Sequence, residues 1–374
     1  MAQKKRSLFA KIILTPLSWI YGTGVWGRDL MFKWGVLKQK RFDVPVVVIG
    51  NIAVGGTGKT PHTELVIDLL RYKYNIGVLS RGYKRHTKGF VLATRRSSPL
   101  DIGDEPYQIY HKFDGQVMVA VCEDRCVGIE EMLKINPRIN LIVLDDAFQH
   151  RYVKPTVSIV LTEFNRPVYL DKLLPMGKLR EPMSALYRAD MVVVTKCPED
   201  LRPLEYRLFK TNLNLVAFQK LYFSSFVYEP LRPVFPDDVP EGEEIPKLDW
   251  LGKRDALLAL AGIANPRPFI RFLKKSGAKV RVSLFADHHN FTRKDLALIA
   301  DQFAELSGDR KYLITTEKDA VRLSNNPYFP PALKPYTYYL PIRVMMDNTT
   351  SGTFADDLDK LIKDNMLLSS PIGQ

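Results

Sequence analysis

Cysteine is scarce in this chain of 374 residues and occurs only at Cys122, Cys126 and Cys197. An odd count without the spacing of a disulfide framework indicates a reducing compartment. Cys122 and Cys126 have no His or Cys partners at the spacing of a zinc site, so we expect them to pack in the core. The sequence also has no Asn-Lys-x-Asp guanine signature and no long uninterrupted apolar run.

Acidic residues are fewer than basic ones, 41 Asp and Glu against 54 Lys and Arg, which gives a net charge of +13. Such a charge predicts an anionic partner: phosphates, nucleic acid or an acidic membrane surface. The hydrophobic content of 46% is enough for a substantial core. The length predicts two domains.

Most of this net positive charge lies at the start of the chain. Residues 1–41 carry nine Lys or Arg and one acid, Asp29, among Trp, Ile and Leu side chains. Lys11 and Pro16 interrupt the apolar run, so a spanning helix is not expected. No small-residue cleavage site follows, so a cleaved signal peptide is not expected either. The composition favours a segment in the membrane interface, on the positive cytoplasmic side, over a helix packed on the protein's own core.

The rest of the chain is organised around a glycine-rich stretch. Residues 46–49 form a β-branched run typical of a strand buried on both faces. Apolar residues at helical spacing follow Pro61. Strand, loop and helix together predict a phosphate-binding loop, with Ala53 standing where the usual pattern has glycine. The predicted nucleotide-binding residues are Gly55, Gly56, Thr57, Gly58, Lys59 and Thr60, with Lys59 on the β and γ phosphates and Thr60 on Mg²⁺.

Two acidic motifs follow on later elements. Gly103-Asp104-Glu105-Pro106 opens a helix, although Asp-Glu-Pro also suits a helix start on capping grounds alone. The buried strand 141–144 delivers Asp145 and Asp146 at its carboxyl end, which is the Mg²⁺ side of a phosphate-loop site. Asp287-His288-His289 follows a later strand. We expect a catalytic or substrate-facing histidine there, with a solvated loop or a metal site as alternatives.

Strands alternate with helices along most of the chain. This predicts an α/β fold with a mostly parallel sheet, and ligands at the carboxyl ends of its strands. A Pro-rich, acidic stretch then precedes a second α/β pattern that has no phosphate loop. The predicted organisation is a membrane-associated segment 1–41, a phosphate-loop domain 42–223, a linker 224–251 and a smaller α/β domain 252–374.

Seven motifs occur in one order, and together they resemble the tetraacyldisaccharide 4'-kinases, the membrane-associated lipid A kinases of Gram-negative bacteria. The resemblance extends to about Asp319. The motifs are Val54-Gly55-Gly56-Thr57-Gly58-Lys59-Thr60-Pro61, Ser80-Arg81-Gly82-Tyr83, Gly103-Asp104-Glu105-Pro106, Asp145-Asp146-Ala147-Phe148-Gln149-His150-Arg151, Leu179-Arg180-Glu181-Pro182, Asp287-His288 and Thr316-Glu317-Lys318-Asp319.

The resemblance implies transfer of the ATP γ-phosphate to the 4'-hydroxyl of a tetraacylated glucosamine disaccharide 1-phosphate, giving lipid IVA. It implies that Asp104 is the catalytic base and His288 its partner, with Lys59 also catalytic. The implied metal residues are Thr60, Glu105, Asp145 and Asp146, with the division of Mg²⁺ contacts among the three acids left open. The implied substrate residues are Arg81, Gln149, His150, Arg180 and Glu181. The implied setting is a monomer on the cytoplasmic face of the bacterial inner membrane, with no nucleic-acid partner.

Three other readings fit less well. Partner-switching ATPases at the membrane carry Lys before the Gly-Gly of the loop, where this chain has Val54. For a GTPase, Thr195-Lys196-Cys197-Pro198 is a poor substitute for the guanine signature. For a nucleic-acid-binding protein, the basic residues are too closely associated with apolar aromatics at the N-terminus.

Overall fold

The computed structural model describes residues 8–347 and 353–368. Of the basic residues in the predicted membrane-associated segment 1–41, Lys4, Lys5, Arg6 and the side chain of Lys11 lie outside the described part. The helices are α1 (Leu8–Lys33), α2 (Lys59–Leu70), α3 (Pro99–Ile102), α4 (Asp104–Phe113), α5 (Arg125–Ile135), α6 (Pro203–Leu213), α7 (Arg267–Lys274), α8 (Arg293–Ala304), α9 (Glu317–Ser324) and α10 (Phe354–Leu367). The strands are β1 (Val46–Asn51), β2 (Ile76–Ser80), β3 (Val91–Leu92), β4 (Met118–Val121), β5 (Leu141–Asp145), β6 (Val157–Glu163), β7 (Met191–Thr195), β8 (Lys220–Tyr228), β9 (Arg232–Pro233), β10 (Ala256–Ala261), β11 (Lys279–Leu284), β12 (Lys311–Thr316), β13 (Thr337–Leu340) and β14 (Ile342–Met346).

A nine-stranded sheet forms the larger part of the molecule, in the order β14-β8-β7-β6-β1-β5-β2-β4-β3. Its strands are parallel except at the two edges, where β3 and β14 run antiparallel to their neighbours. Strands β1, β5 and β7 are buried along their whole length, as their uninterrupted apolar sequences predict. One hydrophobic core lies on each face of this sheet. The carboxyl ends of β1, β5 and β7 therefore meet at one edge.

A five-stranded sheet follows in the order β11-β10-β12-β13-β9, parallel except for β9. It has its own core on each face, with α8 and α9 on one side and α7 on the other. Its carboxyl edge carries the Asp287-His288 turn after β11 and the start of α9 after β12. Both features of the second half that the sequence singled out thus lie on one edge.

The chain returns to the large sheet at its end. Strand β14 pairs with β8, and α10 buries Phe354, Leu358 and Ile362 in the large sheet's core. Each such side chain contributes about 1.5–3 kcal/mol on burial, which fixes α10 there. The division into 42–223, 224–251 and 252–374 remains a prediction of domain organisation. The strand pairing groups 342–367 with the large sheet, and it places the start of the predicted linker inside β8.

The N-terminal helix α1 lies against the loop that precedes the 3-10 helix at residues 183–188. Ser18 donates to the carbonyl of Leu173 at 2.9 Å, and Tyr21 donates to the carbonyl of Arg180 at 2.8 Å. Its other face leaves Trp19 70% and Trp26 64% exposed. Among the residues that the structure describes, no helix is both long enough and apolar enough to cross a membrane.

Candidate active site

The glycine-rich loop joins β1 to α2, and its backbone requires glycine at two points. Gly55 has φ +124° and Gly58 has φ +90°, values that residues with a side chain rarely adopt. A Cβ on Gly58 would also lie 2.5 Å from Cζ of Phe226, on β8. Gly58 caps α2, so the loop's N–H groups and the helix N-terminus face one space, which suits an anion.

Side chains of β1, β7 and α2 hold this loop through hydrogen bonds. Asn51 donates to the Thr57 hydroxyl at 2.8 Å, and Thr195 donates to the Thr57 carbonyl at 2.8 Å. The Nδ1–H of His62 donates to the Gly58 carbonyl at 2.7 Å. Burial lowers the pKa of His62 to about 4, against the effect of that hydrogen bond, so the ring is neutral. The loop is therefore preorganised before any ligand binds.

Lys59 begins α2 and points toward the strand-end acids. Its Nζ lies 3.5 Å from Asp146 Oδ2, and Arg180 Nη2 lies 3.3 Å from the other oxygen of the same carboxylate. Asp146 has φ +48°, a conformation that costs energy outside glycine and that marks functional turns. The structure thus brings the predicted residues Lys59, Asp146 and Arg180 together at the loop.

Asp145 lies one residue earlier and is almost fully buried. It accepts a hydrogen bond from Thr63 of α2 at 2.8 Å. Burial, followed by repulsion from Glu105 and Asp146, raises the pKa of Asp145 to about 7. Glu105 and Asp146 thus lie near enough to influence Asp145 beside the first turn of α2, which includes Thr60, although the three carboxylates do not all lie within 4.8 Å of one another. This donor set and its unfavourable mutual repulsion fit a hard divalent cation such as Mg²⁺.

Asp104 and His288 are in contact although they are 184 residues apart and belong to different sheets. His288 Nδ1 lies 3.3 Å from Asp104 Oδ2. Burial opposes ionisation of Asp104, but hydrogen bonds from His288 and Arg322 lower its pKa to about 2. His288 has φ +61°, so its surroundings hold it in a strained conformation. The pair is one of the contacts between the two carboxyl edges.

Two residues of α9 complete this contact and were not predicted as site residues. Lys318 Nζ lies 2.9 Å from His288 Nε2, and Arg322 Nε donates to Asp104 Oδ2 at 3.1 Å. Lys318 stands within the motif Thr316-Glu317-Lys318-Asp319, for which no role was predicted. Its helical spacing to Arg322, four residues on, was the signal available.

Gln149 and Glu181 lie on the other side of the loop, under α1. Gln149 donates to the Asn51 carbonyl at 2.7 Å and lies 3.3 Å from Glu181 Oε2. Glu181 is buried and pairs with Arg28 of α1 at 2.8 Å and with Arg188 at 2.7 Å. Its carboxylate is therefore occupied by protein cations, and it ties α1 to the site.

Arg81 and His150 lie further out. Arg81 is exposed, and no hydrogen bond joins it to another residue of the described part. His150 Nε2 accepts the Arg125 N–H at 3.4 Å, and burial together with Arg125 lowers the pKa of His150 to about 4. Neither residue contacts the cluster around Gln149, Arg180 and Glu181 directly.

A groove of about 390 Å³ runs between α1 and the site. One wall consists of Ile20, Tyr21 and Val25 from α1, and the other includes Gln149, Arg180 and Glu181. The groove is thus mainly apolar on the helix side, apart from Arg28, and polar on the side of the phosphate loop. This arrangement suits a ligand that has both a lipid part and a polar head.

Comparison with known proteins identifies the family. The model of the LpxK family, tetraacyldisaccharide-1-P 4'-kinase, matches residues 10–363. This chain belongs to that family. The kinase is similar to tetraacyldisaccharide 4'-kinase of Bacteroides thetaiotaomicron, with 48% identity over 362 residues covering 96% of this chain and 94% of the relative. The corresponding protein of Flavobacterium johnsoniae is 40% identical over 354 residues, covering 95% and 98%.

A solved structure extends the comparison to the fold. LpxK from Aquifex aeolicus, in complex with ATP, matches with a TM-score of 0.70 and 28% identity, covering 94% of this chain and 98% of that one. The predictions of the family, of the phosphate-loop α/β fold and of an ATP-dependent kinase are confirmed. The alternative of a regulatory or partner-switching ATPase or GTPase is not favoured. The individual roles of the site residues stay predictions.

Proposed function

We propose that this kinase transfers the γ-phosphate of ATP to the 4'-hydroxyl of a tetraacylated glucosamine disaccharide 1-phosphate, giving lipid IVA. The observation that carries the proposal is the contact of Asp104 with His288, across the two sheets and beside the phosphate loop. A phosphate loop alone is common to many functions. A carboxylate held by an imidazole next to it is the arrangement that an alcohol acceptor needs.

The loop residues Gly55 to Thr60 hold the ATP phosphates through backbone N–H groups, and Lys59 neutralises charge on the β and γ phosphates. Lys59 pairs with Asp146 at 3.5 Å in the structure and exchanges this partner for the nucleotide. Thr60, with contacts divided among Glu105, Asp145 and Asp146, would hold Mg²⁺, which when bound would neutralise charge on the phosphate oxygens. The crowding of Asp145 with Glu105 and Asp146 supports this assignment.

Asp104 then acts on the acceptor. As the 4'-oxygen forms its bond to the γ-phosphorus, its proton passes to the Asp104 carboxylate. The bond between the γ-phosphorus and the bridging oxygen breaks, and ADP leaves with that electron pair. A sugar hydroxyl is a weak nucleophile, so a positioned base contributes roughly 10²–10⁴-fold. His288 comes from the other sheet, so the base is complete only when the two sheets are in contact.

The groove beside α1 supports a lipid acceptor. Its apolar wall can take acyl chains, while Arg180 and Gln149 line the polar wall that would face the sugar. Arg81 and His150, which do not line the groove, are assigned to more distant parts of the acceptor. Exposed Trp19 and Trp26 give α1 the character of an interfacial helix. We therefore place the kinase as a monomer on the cytoplasmic face of the inner membrane, with the lipid surface as its partner and without a nucleic-acid partner.

The test is a transfer assay with γ-³²P-labelled ATP, Mg²⁺ and tetraacyldisaccharide 1-phosphate, resolved by thin-layer chromatography. We expect label in a product that migrates as the bisphosphorylated lipid. The matched control is the same acceptor with its 4'-hydroxyl replaced by hydrogen, which should take no label. Release of labelled phosphate alone, equal with both acceptors, would contradict a lipid kinase and indicate an ATPase.

A further inference from the structure

The helix α9 follows directly after strand β12, and it directs two cations at the Asp104–His288 pair. Lys318 occupies its second position and Arg322 its sixth, so both side chains lie on one helix face. Arg322 is buried, whereas Lys318 is partly exposed. Thr316 caps this helix, and Asp319 accepts from Thr316 and from the Gly262 N–H, which anchors α9 to the small sheet.

The two oxygens of Asp104 have different surroundings. Oδ2 accepts from Arg322 Nε at 3.1 Å and from Arg322 Nη2 at 2.5 Å, and His288 Nδ1 lies 3.3 Å away. In residues 8–347 and 353–368, no hydrogen bond to Oδ1 is found. A carboxylate oxygen with three donors has no lone pair left for a further proton. Oδ1 is therefore the oxygen that can receive one.

The ring of His288 is held from both ends. Lys318 Nζ is 2.9 Å from Nε2, and an ammonium group can only donate. Nε2 must then carry the lone pair, which leaves the proton on Nδ1, where it faces Asp104. The short distance of 3.0 Å between Nδ1 and Arg322 Nη2 follows because both groups donate to the same oxygen. Tyr83 packs edge-on against the ring and limits its rotation.

We propose that Lys318 and Arg322 are positioning residues that orient the Asp104–His288 pair, so that Asp104 Oδ1 receives the proton of the acceptor hydroxyl. Arg322 fixes Oδ2 and thereby the plane of the carboxylate, and Lys318 keeps Nε2 of His288 free of a proton. This inference rests on the proposed function for the identity of the acceptor. It rests on the contacts of α9 alone for the arrangement of the pair.

The first test measures the ring of His288 without any turnover. Full-length protein is labelled with ¹⁵N-histidine, and the His288→Ala variant identifies the signal among the six histidines. We expect the proton on Nδ1 and a lone pair on Nε2 in the wild type. In Lys318→Met, Nε2 should gain a proton. An unchanged ring in Lys318→Met would overturn the role of Lys318.

The second test separates kcat from nucleotide binding. Lys318→Met and Arg322→Met should each lower kcat by roughly 10²-fold, the size of effect that a small misplacement of a reacting group produces. The Kd for ATP should not change. Arg322→Lys should recover part of kcat, because one ammonium donor can still reach Oδ2. A loss of ATP affinity with normal kcat would instead make these residues nucleotide ligands.

Lys334→Met is the matched control, since Lys334 lies beside the same small sheet and is about as exposed, but pairs with Asp238 at 3.2 Å. It should retain wild-type kcat. Arg322 also contacts buried Asp319, so the stability of Arg322→Met is checked by thermal unfolding. If Arg322→Met is unstable, the kcat of Lys318→Met decides whether α9 positions the pair. If the wild type does not phosphorylate the disaccharide, the proposed function fails, and the histidine spectra still decide the orientation of the pair.

Discussion

Replacing Asp104 and His288 by alanine, singly and together, tests whether they act as one unit. Removal of the Asp104 carboxylate removes the proposed base, so turnover should fall by roughly 10²–10⁴-fold. His288 supplies one of the three donors that surround Oδ2, and both Arg322 donors remain without it. We therefore expect a smaller loss for His288→Ala, about 10–10²-fold.

The double variant should be about as slow as Asp104→Ala alone, because an imidazole without its carboxylate has nothing to orient. The coupling free energy should then equal the whole effect of His288→Ala, roughly 1.4–2.7 kcal/mol. Turnover is measured with the labelled-ATP transfer assay at saturating substrates. ATP affinity is measured in parallel by calorimetry and should be the same in all variants.

His289→Ala provides the control for this cycle. His289 is the next residue, but its Nε2 pairs at 3.0 Å with Asp295, in the first turn of α8. It should show near wild-type turnover and no coupling to Asp104→Ala. If the losses of Asp104→Ala and His288→Ala multiplied fully, the two residues would act independently, and the pairing argued from the structure would be wrong.

Three further outcomes are expected. Lys59→Ala should abolish turnover with an unchanged circular dichroism spectrum, whereas near wild-type turnover at saturating ATP would refute the phosphate-loop assignment. Deletion of residues 1–41 should move the protein from the membrane to the soluble fraction, and full sedimentation at high salt would place the anchor elsewhere. Because burial lowers the pKa of His62 to about 4, the unfolded state binds its proton first as pH falls from 6.5 to 4. Between these two pH values, the free energy of unfolding of the wild type should therefore fall by about 3 kcal/mol more than that of His62→Gln. Urea unfolding of both proteins at both pH values measures this difference.

Local patterns in the sequence predicted the parts of the fold that local physics determines. The β-branched run before Gly50 forms β1, and the apolar run before Asp145 forms β5, because strands buried on both faces consist mainly of apolar side chains. Chain order alone then placed the phosphate loop and the acids at one edge, since parallel strands share their carboxyl ends. This much of the candidate site follows from elements less than 100 residues apart.

Contacts between distant elements could not be predicted in this way. Arg322 reaches Asp104 across 218 residues, and nothing in the sequence near either residue specifies the other. The return of α10 to the large sheet also depends on an exposed apolar surface that exists only after folding. Glu181 illustrates the opposite case. Its motif was recognised, but its two arginine partners, which tie α1 to the site, were not, and its place near phosphates or the sugar stays a prediction.

The placement of the base and its orienting partners on different sheets has a chemical consequence. Water is a competing acceptor for any bound ATP, and it can enter an open site freely. Here the phosphate loop lies on the large sheet, while His288, Lys318 and Arg322 come from the small one. Asp104 is therefore oriented only when the two edges meet, and the same contact covers one side of the base from solvent. Catalytic competence and exclusion of water thus depend on the same contact between α4 and α9.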